Sequence, residues 1–114
     1  MYDIQFYQNH RGICPVLSFF EELEKTGRAK DLDKISIYID MLESKGDRLL
    51  SNKEIAKYLQ EEIYELRPGR YRVLYSKIDE SSYILLHAHI KKDKNEQSRQ
   101  IKQAIKELKD YKET

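Results

Sequence analysis

Arg67, Arg70, Arg72, His87, His89, Lys91 and Lys92 fall within one stretch, Ile63 to Lys92, which reads IYELRPGRYRVLYSKIDESSYILLHAHIKK. These residue types suit phosphate chemistry. Cutting RNA without a metal requires a group that takes the proton of the ribose 2′-hydroxyl, cations that stabilise charge on the phosphorane, and an acid that protonates the leaving 5′ oxygen. Arginine fits the second task, because its planar fork donates two hydrogen bonds to phosphate oxygens and stays charged. Histidine, with an unperturbed pKa of about 6.5, fits the first or the third. Tyr64, Tyr71, Tyr75 and Tyr83 are either flat surfaces for unpaired bases or core packing, and periodicity does not separate the two.

Alternation places these side chains. On a strand from Arg70 to Lys77, Arg70, Arg72, Leu74 and Ser76 share one side, and Tyr71, Val73 and Tyr75 the other. On a second strand, Tyr83, Leu85, His87, His89 and Lys91 share one side, opposite a wholly apolar set of Ile84, Leu86, Ala88 and Ile90. The expectation is a hairpin with one core face and one open face. The open face carries Arg67, Arg72, His87, His89 and Lys91, with Arg70 and Lys92 at its margins. Plainer roles exist for each: Arg67 can pair with Glu65, and either histidine can be a hydrogen-bonded sheet residue. Arg72, inside an otherwise apolar strand, is the hardest to explain as decoration.

The rest of the chain supplies a scaffold. Tyr2 to Gln8 alternates as a half-buried first strand. Pro15 opens a helix that carries Val16, Phe19, Phe20 and Leu23 and stops at Gly27, and a second helix runs from Arg28 or Ala29 to Lys45, ahead of Gly46. Asp47 to Lys57 reads as irregular. Glu62 to Arg67 is a strand ended by the Pro68-Gly69 turn, and Asp79, Glu80 and Ser81 supply the next turn. A final helix from Gln97 or Ser98 to Tyr111 places Ile101, Ala104, Ile105 and Leu108 on one stripe. This order predicts an α+β fold, with helices packed on one face of an antiparallel-rich sheet and the other face open.

A chain of 114 residues fits a single domain over residues 1–114. Its net charge of +1 hides an asymmetry: residues 1–62 carry nine basic and twelve acidic side chains, a balance of −3, and residues 63–114 carry twelve and eight, a balance of +4. A basic half is what a polyanion-binding face needs. Neither an 18-residue apolar run nor a charged-then-apolar leader occurs, so a cytoplasmic address without membrane contact is expected. Cys14, the one cysteine, has no partner and no assigned role. The two histidines lack a carboxylate or cysteine at recognised metal spacing, and no G-x-S-x-G, P-loop, dinucleotide turn or C-x-x-C appears, so no metal and no cofactor is expected.

The segment IYELRPGRYRVLY, followed by YILLHAHIKK and a basic amphipathic helix, resembles the phage-derived toxin-like branch of the RelE/ParE superfamily, close to HigB-type toxins of type II toxin-antitoxin systems. The opening strand and the PVLSFFEEL helix share the likeness. It implies a RelE-like fold, with an N-terminal helical hairpin on one face of the sheet and a C-terminal helix. It also implies metal-independent, ribosome-dependent cleavage of mRNA and neutralisation by a helix-turn-helix antitoxin, with operator DNA bound only through that antitoxin. Carried over by position, Arg67 is the arginine of ELR, Arg72 that of YR, His87 that of LLH, and Lys91 and Lys92 the KK pair. These five are the implied catalytic set, with Arg70, Tyr71 and His89 as RNA contacts. Arg72→Ala is then expected to abolish toxicity in a folded protein.

Two positions depart from the pattern. His89 stands where a Phe is usual, and Ile63 and Glu65 stand where RelE toxins proper carry lysines, so the resemblance does not imply a copy of the RelE mechanism. The superfamily also contains ParE-type toxins that inhibit gyrase without cutting RNA. Two alternatives follow: a non-enzymatic binding toxin, and an inactive relative that binds the antitoxin and serves operon autoregulation.

Overall fold

The computed structural model describes residues Met1–Thr114. Its elements are β1 (Asp3–Phe6), α1 (Pro15–Lys25), α2 (Ala29–Lys45), a short 3-10 helix (Gly46–Ser51), β2 (Ala56–Gln60), β3 (Ile63–Leu66), β4 (Tyr71–Asp79), β5 (Ser82–Ile90) and α3 (Lys94–Glu113). The five strands form one sheet in the order β1-β5-β4-β3-β2. Only β1 runs parallel to its neighbour, and the other pairs are antiparallel. This is an α+β architecture of RelE-like kind. No helix is long and apolar enough to cross a membrane.

The helical hairpin begins and ends where Pro and Gly direct it. Pro15 occupies the first helical position of α1, where a missing N–H breaks no intrahelical bond. Gly46 follows α2 with φ of +57°, and a Cβ there would stand 2.4 Å from the Tyr2 ring, so the position requires glycine twice over. Val16, Leu23, Ile35 and Leu42 from this hairpin pack against Tyr71, Val73, Tyr75, Tyr83 and Leu85.

Four features differ from the sequence-based expectation. The second sheet face is not open: α3 lies on it, packing Ala104 and Leu108 against Ile63, Leu74, Ile84 and Leu86. Helix α3 also starts earlier than its apolar stripe, because the Asp93 side chain accepts the Glu96 N–H at 2.9 Å and caps the first turn. Part of the stretch expected to be irregular is strand β2, joined to β3 by Glu61 and Glu62 alone. Both have positive φ, +47° and +69°, which Asn-Gly normally marks and Glu-Glu conceals.

The fourth difference bears directly on the site. Leu74 pairs with His87 but Tyr75 pairs with Leu85, so Leu86 is an extra residue, a β-bulge. Simple alternation fails across it. Before the bulge the odd-numbered Tyr83 and Leu85 face the α1/α2 core; after it Ala88 does, and His87 and His89 turn to the α3 face beside Ile84 and Leu86. Alternation grouped Tyr83 and Leu85 with the histidines; the bulge separates them.

Candidate phosphate-binding site

Cross-strand pairing assembles the charged residues into two rows on the α3 face. Arg72 lies opposite His89, and Arg67 follows Leu66, whose partner Val73 adjoins Arg72, so Arg67, Arg72 and His89 form one row. In the next, Lys57 lies opposite Glu65, Glu65 opposite Leu74, and Leu74 opposite His87. Directly opposed side chains share a sheet face, so each row points the same way. Lys91, two residues beyond His89, and Lys92 are exposed where β5 ends.

Arg72 is 5% exposed. Its Nη1 donates to the Gly69 carbonyl at 2.8 Å and to the Tyr71 carbonyl at 2.7 Å, and its Nε lies 3.8 Å from Glu65 Oε1. The guanidinium therefore braces the Pro68-Gly69 turn as well as charging the face. Glu65 is 2% exposed, with Arg67 Nε at 3.5 Å from Oε2. The pairing of Arg67 with Glu65 weighed from sequence is thus present, and Arg67 Nη1 also donates to the Lys53 carbonyl at 2.7 Å. Burial raises the Glu65 carboxyl above its usual range despite Arg72, Arg67, Lys57 and Lys91 nearby, and burial lowers Arg72 despite Glu65. Both partners shift toward neutrality, so desolvation outweighs their mutual attraction.

The histidines line a cleft of about 240 Å³ with Phe19, Lys92, Glu96 and Gln100. It opens because β1 pairs with β5 only as far as Leu85, leaving the rest of β5 as a sheet edge between α1 and α3. His87 Nδ1 is 3.4 Å from Glu107 Oε1 on α3. His89 Nδ1 is 3.2 Å from the Ile90 carbonyl, and burial holds the ring's pKa below the usual histidine range, so it is neutral at pH 7.

Arg67, Arg72, His87, His89 and Lys91 are thus brought to one face, with Lys92 beside the cleft. Arg70 and Tyr71 are not. Tyr71 is buried on the α1/α2 face, its ring edge-on to Phe19 and its hydroxyl donating to Asp31 at 2.5 Å; Arg70 lies over that ring, 3.5 Å from the same carboxylate. Tyr71 therefore offers no stacking surface. Tyr64, Tyr75 and Tyr83 pack in succession with Tyr2 and Tyr58, so they too serve the core rather than bases.

Three residues of the site escaped the sequence reading. From sequence Glu65 is a partner for Arg67 and a departure from the RelE lysines rather than a site residue, and Lys57 lies in the stretch that reads as irregular. Glu107 carried a usable signal: it stands one helical turn from Ala104 and beside Leu108, an acid on an apolar stripe. No group of three or more His, Cys, Asp or Glu side chains is arranged to hold a metal ion.

The fold and this face define a small α+β protein with a half-covered cationic sheet. The family model described as Phage derived protein Gp49-like (DUF891) matches residues 18–109, so the chain belongs to that phage-derived, toxin-like family. No curated protein matches it.

Proposed function

We propose that this protein is a HigB-type toxin of a type II toxin-antitoxin system that cuts mRNA in the translating ribosome. The observation that carries this reading is the gathering on one face of cations around buried polar atoms with no hydrogen-bond partner in the protein: Glu65 Oε1, Arg67 Nε, His87 Nδ1, His89 Nε2 and Glu107 Oε1. Groups left in that state cost stability, and sites that work on a substrate are where such costs persist. Arg72 and Arg67 supply positive charge beneath the phosphate, Lys91 and Lys92 reach it from the strand end, and His87 is the acid or base. His89 contributes a neutral ring beside it. In this reading the protein acts in the cytoplasm without a cofactor, and a helix-turn-helix antitoxin neutralises it.

One observation favours a second reading. Arg72 hydrogen-bonds its own turn, which is a structural role sufficient to retain it in a non-cutting toxin of the ParE kind or in an inactive antitoxin-binding relative. Controlled expression in a bacterial host, with growth and primer-extension mapping of a reporter mRNA, separates these. Cleavage inside translated codons that disappears in His87→Gln at equal protein level is the expected result. Growth arrest with intact mRNA supports the binding toxin, and no arrest supports the inactive relative.

A further inference from the structure

Helix α3 presents two inward acids one turn apart, and they have different fates. Asp110 accepts the Tyr7 hydroxyl at 2.5 Å, a bond that together with burial pushes the Tyr7 phenol up to about 12. Glu107 is 5% exposed, and its Oε1 accepts no hydrogen bond although His87 Nδ1 stands 3.4 Å away. That Nδ1 is fully buried and likewise unbonded, while the His87 side chain as a whole is 22% exposed and lines the cleft. The buried Nδ1 thus lies against Glu107, while the rest of the side chain keeps its exposure at the cleft.

We propose that Glu107 is a positioning residue whose carboxylate accepts Nδ1–H from His87, fixing the tautomer that presents a bare Nε2 lone pair to the cleft. The tautomer claim rests on this contact: two buried atoms 3.4 Å apart, neither with another partner, which a small rotation of the ring would close into a hydrogen bond. Its catalytic use rests on the RNA-cutting reading above. In that use Nε2 takes the 2′-hydroxyl proton as the 2′ oxygen bonds to phosphorus. The P–O5′ bond breaks, O5′ takes a proton from water, and the imidazolium returns its proton to solvent, leaving a 2′,3′-cyclic phosphate and a 5′-hydroxyl. A carboxylate behind a histidine sets which nitrogen is available, and the wrong tautomer disables the base even when its position is unchanged.

Other charged groups face the pair. Around His87 these are His89 on its own strand, Lys92 and Glu96 across the cleft, and Glu65 and Lys57 farther along its row. Around Glu107 they are Lys106 and Asp110 on α3, with Tyr7 and His10 from the opening segment. Glu107 is the carboxylate in contact with the ring, its Oε1 3.4 Å from Nδ1.

The test is ¹⁵N NMR of the imidazoles in the full chain, well above the ordinary histidine pKa, with His87→Gln used for assignment. Wild type is expected to carry its proton on Nδ1 of His87, and Glu107→Leu to revert to the Nε2–H form that an unconstrained side chain prefers. Glu107→Gln keeps a carbonyl acceptor and is expected to restore the Nδ1–H form in part. In ribosome assays Glu107→Leu should lower kcat roughly tenfold to a hundredfold with KM unchanged, and Glu107→Gln should recover part of it. An Nε2–H tautomer in wild type overturns the proposal whatever the variants do. Unchanged kcat in a Glu107→Leu protein whose tautomer has reverted overturns its catalytic use. Absence of cleavage by wild type removes the RNA-cutting reading and leaves the tautomer result to decide the positioning role.

Discussion

The two faces of the sheet differ in how completely they satisfy the polar groups they bury. On the α1/α2 face, the hydroxyls of Tyr71 and Tyr83 each end on a carboxylate, Asp31 at 2.5 Å and Asp47 at 2.6 Å, and Lys77 reaches Asp47 at 2.7 Å. On the α3 face, Glu65, Arg67, Ser76, His87, His89, Gln100 and Glu107 each hold a buried polar atom without a partner. The α1/α2 face is satisfied; the α3 face, although Tyr7 ends on Asp110 and Arg72 on the carbonyls of its own turn, is charged, half-covered and holds these unpartnered atoms. That difference is what favours the α3 face as the working one in the proposed reading.

The contrast is broken most severely at Arg72. Arg72→Ala removes the brace of the Gly69 turn and leaves Glu65 buried beside a lost partner, and a fall of about 3–5 kcal/mol in unfolding free energy is expected in denaturant titration. A loss of that size mixes stability with activity in Arg72→Ala, so His87→Gln is the cleaner test of activity. On the satisfied face, Tyr83→Phe should cost about 1.5–3 kcal/mol by losing a hydrogen bond to a charged acceptor, with cleavage per folded molecule unchanged. Comparable loss of cleavage there would erase the functional difference between the faces. Lys91→Ala/Lys92→Ala should do the converse, lowering cleavage while stability stays within about 0.5 kcal/mol of wild type, since both lysines are exposed.

The smallest effect is expected at Glu65. Its carboxyl titrates higher folded than unfolded, so between those two values the folded state holds more protons and stability falls as pH rises. Glu65→Gln should therefore gain on wild type as pH climbs from about 4, the ordinary carboxylate range, toward 7. Thermal melts across that span measure it, and a gap that narrows with rising pH would show that Arg67 and Arg72 compensate the charge fully.

Much of this was legible in the chain, and what was not had local causes. Pro15, Gly27 and Gly46 marked the helical hairpin because each residue type has a backbone reason to stand at a helix end. The hairpin of β4 and β5 followed from its alternating runs. Alternation could not register Leu86, because an inserted strand residue leaves no mark in composition; the histidines reached the expected face only because the bulge moved Tyr83 and Leu85 off it. Strand β2 hid behind a Glu61-Glu62 turn that uses two residues ill-suited to positive φ. Replacing that pair with Asn-Gly should raise stability by about 1 kcal/mol. The cations were visible as a cluster, whereas Glu65 and Glu107 acquire their character from burial, which spacing does not report.

The most direct test of the central claim is to present the purified protein with ribosomes translating a short defined mRNA and to identify the new ends. Cuts within codons, 2′,3′-cyclic phosphate and 5′-hydroxyl termini, and their disappearance in His87→Gln are the expected result. Intact mRNA beside a folded protein, or cleavage that persists undiminished in His87→Gln, would contradict it.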